Sequence, residues 1–198
     1  DFNGDGYGDI VIGSSGFTSS DFLNGGAAYV IFGHENSYSF TAINATTDIV
    51  SPSTVGVLIV GATGGQWGRV VARAGNFNSD TYDDILFCSS ISTTVAVVLG
   101  SATPEEMDVS VITPSEGKGF LLNSEVSEMA SVAAAGDVNG DGIDDIIIGA
   151  KSFAVTIDNY ERVACGVVFL IFGKEATATL ADVNLDTFTS GTTGLRII

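Results

Sequence analysis

The sequence predicts an all-β protein, an incomplete portion of about three blades of a β-propeller built from four-stranded sheets. Three observations carry this. A run rich in Asp, Asn and Gly occurs at residues 1–9, 76–84 and 137–145, which makes an internal repeat with spacings of 75 and 61 residues. Each run passes directly into a short apolar stretch of strand length, Ile10–Ile12, Ile85–Phe87 and Ile146–Ile148. Further apolar stretches bounded by glycine follow at matching places, so that a complete unit reads as four strands.

In chain order, the first unit covers 1–61 and holds strands at 10–12, 27–32 and 56–60, each ending at or near a turn glycine. It lacks an innermost strand. The stretch Ile10, Val11, Ile12 reads as a buried strand, because a continuous apolar run is what both faces of a covered sheet require. The second unit, 62–122, has an Ala- and Gly-bearing segment at 68–75, then strands at 85–87, 95–99 and 119–122. The third, 123–198, has its matching segment at 129–136, then strands at 146–148, 166–172 and 194–198. A propeller closes with about four to eight blades, so the remaining blades are expected from sequence outside these 198 residues.

The Asp-rich runs carry oxygen side chains at every second position, the pattern that wraps a short loop around calcium. The expected ligands are Asp1, Asn3, Asp5 and Asp9 in the first loop and Asp137, Asn139, Asp141 and Asp145 in the third, with the main-chain carbonyls of Tyr7 and Ile143 adding one oxygen each. They are not EF-hands, because the twelfth position, where a bidentate Glu belongs, is Ile12 or Ile148. The ninth residue is expected to close the site instead. The middle loop keeps Asn78, Asp80 and Asp84, but it starts with neutral Asn76 and has Thr81 where the others have glycine. Two calcium sites are therefore expected, with the third weak or absent. In the pairs Asp83-Asp84 and Asp144-Asp145, the first member reads as an exposed neighbour of a ligand rather than as half of an acid–base couple.

Composition narrows the partners. A formal net charge of -17 with only 7 Lys and Arg argues against nucleic acid or an anionic membrane surface. No apolar stretch approaches the roughly 18 residues of a membrane span, so direct membrane insertion is not expected. Catalysis is not expected either. His34 is the single histidine and reads as an exposed loop residue, and Gly-x-Ser-x-Gly, His-Glu-x-x-His and a phosphate-binding Walker loop are all missing from the sequence. Cys88 and Cys165 fall on similar-looking strands of different units and read as two small buried apolar residues rather than a disulfide. Asn44-Ala45-Thr46 is a glycosylation sequon.

The chain resembles the FG-GAP repeats of the integrin α-subunit propeller and of related surface proteins over essentially its whole length. In that family a repeat reads approximately Phe-Gly-x-Ser-Val-Ala-x-Ala-Gly-Asp-x-Asn-Gly-Asp-Gly, then an apolar strand ending in Gly-Ala-Pro, then a Val/Tyr/Phe-rich strand. Residues 131–142, Gly149-Ala150, and the strands Tyr29-Val30-Ile31-Phe32-Gly33 and Phe169-Leu170-Ile171-Phe172-Gly173 carry the likeness. Trp67-Gly68 stands for Phe-Gly in the second unit, Glu128-Met129 takes those places in the third, and Ser15 and Lys151 replace the proline. The resemblance implies an extracellular or cell-surface module in which calcium is structural and the work is recognition of a protein or matrix ligand. A non-catalytic accessory propeller of a secreted hydrolase or phospholipase, or a pure spacer, is the alternative. The partner is expected on the loops opposite calcium, at 14–24, 89–94 and 151–162, the last bringing Lys151, Asp158, Tyr160, Glu161 and Arg162 together.

Overall fold

The computed structural model describes residues 1–35, 49, 54–89, 93–125, 129–157, 160–162, 165–175 and 178–198. The first repeat contributes β1 (Ile10–Ser14), β2 (Ala27–Ile31) and β3 (Gly56–Val60). The second contributes β4 (Trp67–Gly75), β5 (Asp84–Ser89), β6 (Thr94–Val98), β7 (Met107–Asp108) and β8 (Gly119–Asn123). The third contributes β9 (Met129–Gly136), β10 (Asp145–Ala150), β11 (Val155–Ile157), β12 (Tyr160–Arg162), β13 (Val167–Ile171), β14 (Val183–Asn184) and β15 (Gly194–Ile197). Single 3-10 turns at Val109–Val111 and Pro114–Glu116 are the helical elements among the described residues. The fold is all-β.

Three main sheets form, with strand orders β1-β2-β3-β7, β4-β5-β6-β8-β14 and β9-β10-β13-β15; β11 and β12 make a separate two-stranded ribbon. Within each repeat the neighbours are antiparallel, and the register recurs. The residue after the ninth loop position faces the last residue of the following strand: Ile10 opposite Ile31, Ile85 opposite Val98, Ile146 opposite Ile171. Because side chains alternate across a strand, equal register puts equal positions on equal faces.

The sheets are held by apolar layers between them. Ala28, Val30, Val57 and Ile59 of the first sheet pack with Ile85, Phe87, Ala96 and Val98 of the second. From the other face of the second sheet, Leu86, Cys88, Val95 and Val97 pack with Ile146, Ile148, Phe169 and Ile171 of the third. All six residues of β5 are buried, as expected for a strand covered on both sides. At the start of β4, Trp67 is buried and its ring lies 5.2 Å from that of Phe87. Gly68 beside it has φ +87, and a Cβ there would come within 2.2 Å of the Ala27 carbonyl oxygen, so the close crossing of the first two sheets requires glycine.

Three expectations are corrected. The strand at Ile10–Ile12 forms but is not buried, since Ile10 is 62% and Ile12 50% exposed. β1 is the edge strand of its sheet; Val11 packs toward the second sheet while the opposite face carries no sheet among the described residues. Cys88 is buried but Cys165 is exposed, and it precedes β13 rather than sitting in a strand equivalent to β5; both thiols are free. His34 is half-buried rather than exposed. The two-residue strands β7 and β14 were not expected. Each leaves its own repeat and pairs in parallel with the outer strand of the preceding one, β7 with β3 and β14 with β8. The sequon at Asn44, and Glu128 and Asp158, lie outside the described residues.

Candidate metal centre

The three Asp-rich runs lie at one end of the three sheets. Residues 76–83 join β4 to β5, residues 137–144 join β9 to β10, and residues 1–9 lead into β1 in the same register. Each loop is built by the same side-chain turns. The third-position Asn accepts from the main-chain N–H at position five: Asn3 from Asp5 at 3.1 Å, Asn78 from Asp80 at 3.3 Å, Asn139 from Asp141 at 2.9 Å. The amide Nδ2 of each Asn donates to Oδ2 of the fifth-position Asp at 2.8 Å. Oδ1 of that Asp accepts from the N–H at position seven, of Tyr7, Tyr82 or Ile143, at 2.7–3.0 Å. Short polar side chains that bond their own backbone two residues on make such turns without any ion.

The first position separates the loops. Asp1 Oδ2 accepts from Gly6 N–H at 2.9 Å, and Asp137 Oδ2 from Gly142 N–H at 2.8 Å. This return contact is possible because Gly6 and Gly142 both have φ +87, a left-handed conformation that glycine adopts without penalty. Thr81 at the same place is not among the positive-φ residues, and Asn76 turns its Nδ2 to the Asp80 carbonyl at 2.7 Å instead. Position four is left-handed in all three loops, at Gly4, Ser79 and Gly140 with φ 73, 56 and 79, so the middle loop lacks only the second left-handed residue, at position six.

The ninth-position carboxylates have a second occupation that the sequence did not reveal. Asp9 accepts from the N–H groups of Phe2 and Gly33 at 2.7 and 2.8 Å, Asp84 from Phe77 and Gly100 at 2.9 and 3.0 Å, and Asp145 from Val138 and Gly173 at 2.8 and 2.9 Å. One oxygen thus holds the start of the loop and the other the glycine that ends the third strand of the repeat. Asp84 and Asp145 are fully buried. Burial pushes the Asp84 carboxyl up to about 8, opposed by the Gly100 and Phe77 N–H bonds, which favour the ionised form.

The donor set fits a hard cation. Every side chain at positions one, three, five and nine is Asp or Asn, and oxygen-only ligation selects calcium or magnesium over softer metals. Two buried acceptor oxygens in the described structure lack any hydrogen-bond partner, Asp1 Oδ1 and Asn76 Oδ1, and both occupy the first ligand position of a loop. Among the described residues no three His, Cys, Asp or Glu side chains converge on one point as a preformed cluster. Asp5 and Asp141 are exposed and their oxygens are turned onto loop N–H groups.

Residues 1–31 and 129–161 match the FG-GAP repeat. None of the curated proteins matches the chain. Both matched segments contain a complete Asp-rich loop and the strand that follows, whereas the middle loop, with its Asn76 and Thr81, lies outside the match. No described helix is long and apolar enough to cross a membrane.

The eighth position of the Asp-rich loops also needs correction. Asp83 and Asp144 are half-buried rather than exposed neighbours of a ligand. Asp83 Oδ2 accepts from the amino nitrogen of Asp1 at 3.0 Å, and its other oxygen lies 3.5 Å from Arg73 Nη2. Asp144 Oδ2 accepts from Asn76 N–H at 3.0 Å. In both cases the contact reaches the first residue of the preceding loop. The recurrence of Asp at this place in two of the three loops was the signal available in the sequence.

Proposed function

We propose that the chain is part of a calcium-stabilised, non-catalytic β-propeller that works in recognition of a protein or matrix ligand outside the cell. One observation carries the reading: three loops with the same oxygen-rich side-chain turns stand in register at one end of three face-packed sheets. The propeller assignment is supported by the repeated β-sheet unit and by the apolar layer on both faces of the second sheet. Asp1, Asn3, Asp5 and Asp9 would hold one ion and Asp137, Asn139, Asp141 and Asp145 another, with Tyr7 and Ile143 supplying main-chain carbonyls. Asn78, Asp80 and Asp84 make a weaker third site, as the missing first-position carboxylate dictates. The ions supply structure, by fixing loops that connect adjacent strands.

The antiparallel order places the last residues of β1, β5 and β10 at the end opposite the Asp-rich loops. Rigid sheets that carry variable loops at one end suit ligand recognition. The test is a calcium titration of chelator-stripped protein by calorimetry, with Tm followed in parallel. Binding with a rise in Tm is expected, and Asp5→Ala combined with Asp141→Ala removes that rise apart from any contribution of the weaker middle loop; an unchanged calcium-induced Tm shift in the double variant refutes the ligand assignment.

A further inference from the structure

Consecutive loops share a continuous run of hydrogen bonds that alternates between main-chain groups and the ninth-position carboxylates. In the first repeat, Asp9 binds the N–H of Phe2, and the Phe2 carbonyl accepts from Ser101 N–H of the second repeat at 3.1 Å. Gly100, next to Ser101, donates to Asp84 of its own loop, and Asp84 binds the N–H of Phe77. The Phe77 carbonyl then accepts from Lys174 N–H of the third repeat at 2.9 Å, and Gly173, next to Lys174, donates to Asp145. The run therefore passes through all three ninth-position carboxylates.

A parallel set of bonds joins the first positions. Asp83 accepts from the Asp1 amino nitrogen while its own N–H donates to the Asp1 carbonyl at 3.0 Å, and Asp144 accepts from Asn76 N–H. The junctions are tight. A Cβ on Gly100 would come within 2.6 Å of the Phe2 carbonyl oxygen, and one on Gly173 within 2.9 Å of that of Phe77. Position one of a loop is thus bonded to the eighth-position carboxylate of the next, and position two to the residue beside the glycine that binds the next ninth-position carboxylate.

We infer that the three loops load calcium as one coupled unit, the ion in one loop preordering its neighbours through the Phe2–Ser101 and Phe77–Lys174 bonds and the Asp83 and Asp144 carboxylates. This rests on the calcium reading above. An ion held by Asp1 and Asp9 immobilises the residues that anchor Ser101 and Asp83, so the ordering cost of the second loop is partly met before its own ion arrives. Coupling of this kind is reciprocal. It gives the middle loop, weak by itself, a higher affinity when the flanking loops are filled.

The test compares the calcium affinity of the third loop, by calorimetry, in the otherwise unchanged chain and in Asp5→Ala, which disables the first loop. Coupling predicts that affinity falls by about fivefold or more in Asp5→Ala, the lower end of ordinary allosteric linkage. The dependence should weaken when Asp83→Ala and Asp144→Ala are added, since the Phe2–Ser101 and Phe77–Lys174 bonds remain, and persist in full with Asp83→Asn and Asp144→Asn, which keep an acceptor oxygen. Amide exchange supplies an independent readout: in Asp141→Ala, calcium taken up by the first loop slows exchange at Gly100 and Phe77 of the second repeat. Equal affinity of the third loop with and without the first, together with unchanged exchange at those amides, overturns the coupling and leaves the calcium reading standing. A folded chain that binds no calcium in any variant overturns the calcium reading itself, and the coupling with it.

Discussion

Removing the Asp145 carboxylate separates the two jobs of a ninth-position residue. It is fully buried and accepts two main-chain N–H bonds, from Val138 at 2.8 Å and Gly173 at 2.9 Å. A hydrogen bond to a charged group is worth about 1.5–3 kcal/mol, and deleting the acceptor leaves two buried donors unsatisfied, so Asp145→Ala should cost about 3–6 kcal/mol. That loss belongs to the fold rather than to the metal, so it must appear in chelator. Asp141 is exposed and bonds only within its own loop, and Asp141→Ala in chelator should cost less than about 1 kcal/mol. In calcium both variants also forfeit the binding increment of their shared site, about 2.7 kcal/mol at free calcium a hundredfold above Kd, so Asp141→Ala becomes costly while Asp145→Ala remains the more damaging change. Urea unfolding of each variant in chelator and in calcium measures all four values. Asp145→Asn retains one acceptor oxygen and should fall between wild type and Asp145→Ala, which keeps the comparison usable where the Ala variant unfolds. A cost for Asp145→Ala in chelator no greater than that for Asp141→Ala would refute the argument that the ninth carboxylate clips the loop to the sheet.

Other substitutions probe the sheets. Phe169 is fully buried between the second and third sheets, edge-on to Phe153 and Phe188 with centroids at 5.5 and 6.0 Å, and Phe169→Ala should cost about 3–5 kcal/mol by urea unfolding. Thiol labelling of the native chain should modify exposed Cys165 alone; burial pushes the Cys88 thiol up to about 12, so that residue should react only after denaturation. Stability in chelator should fall between about pH 4 and pH 8 through Asp84. Its folded value of about 8 exceeds the ordinary 3.8, so the folded chain holds the proton more tightly, and the contribution is full below the unfolded value and lost as pH rises through the folded one. Urea midpoints measured across that range should slope less in Asp84→Asn.

The loops and strands were legible because their signals are local. Alternating Asp and Asn with glycine at the sixth place specify turns within nine residues, and the apolar runs after them are uninterrupted whichever sheet they join. The bounds of β3 and β9 fell where glycine and apolar residues placed them. β7 and β14 were not legible, since two residues carry no periodicity and each pairs with a strand of another repeat. The exposure of Ile10 and Ile12 was hidden for a related reason. Their sequence resembles that of Ile146 and Ile148, both fully buried, and only the presence or absence of a neighbouring sheet separates them.

By itself, then, the sequence determined the all-β class, the repeated unit, the oxygen-rich loops and the departure of the middle one at Asn76 and Thr81, because each is set by the conformational preferences of contiguous residues. Only the tertiary structure decided what the carboxylates at positions eight and nine do. The partners of Asp9, Asp84 and Asp145 at the end of the third strand lie 24, 16 and 28 residues away, and those of Asp83 and Asp144 lie in the preceding repeat, 82 and 68 residues away. Contacts over such separations arise from the register and packing of whole sheets, which no local pattern of side chains encodes.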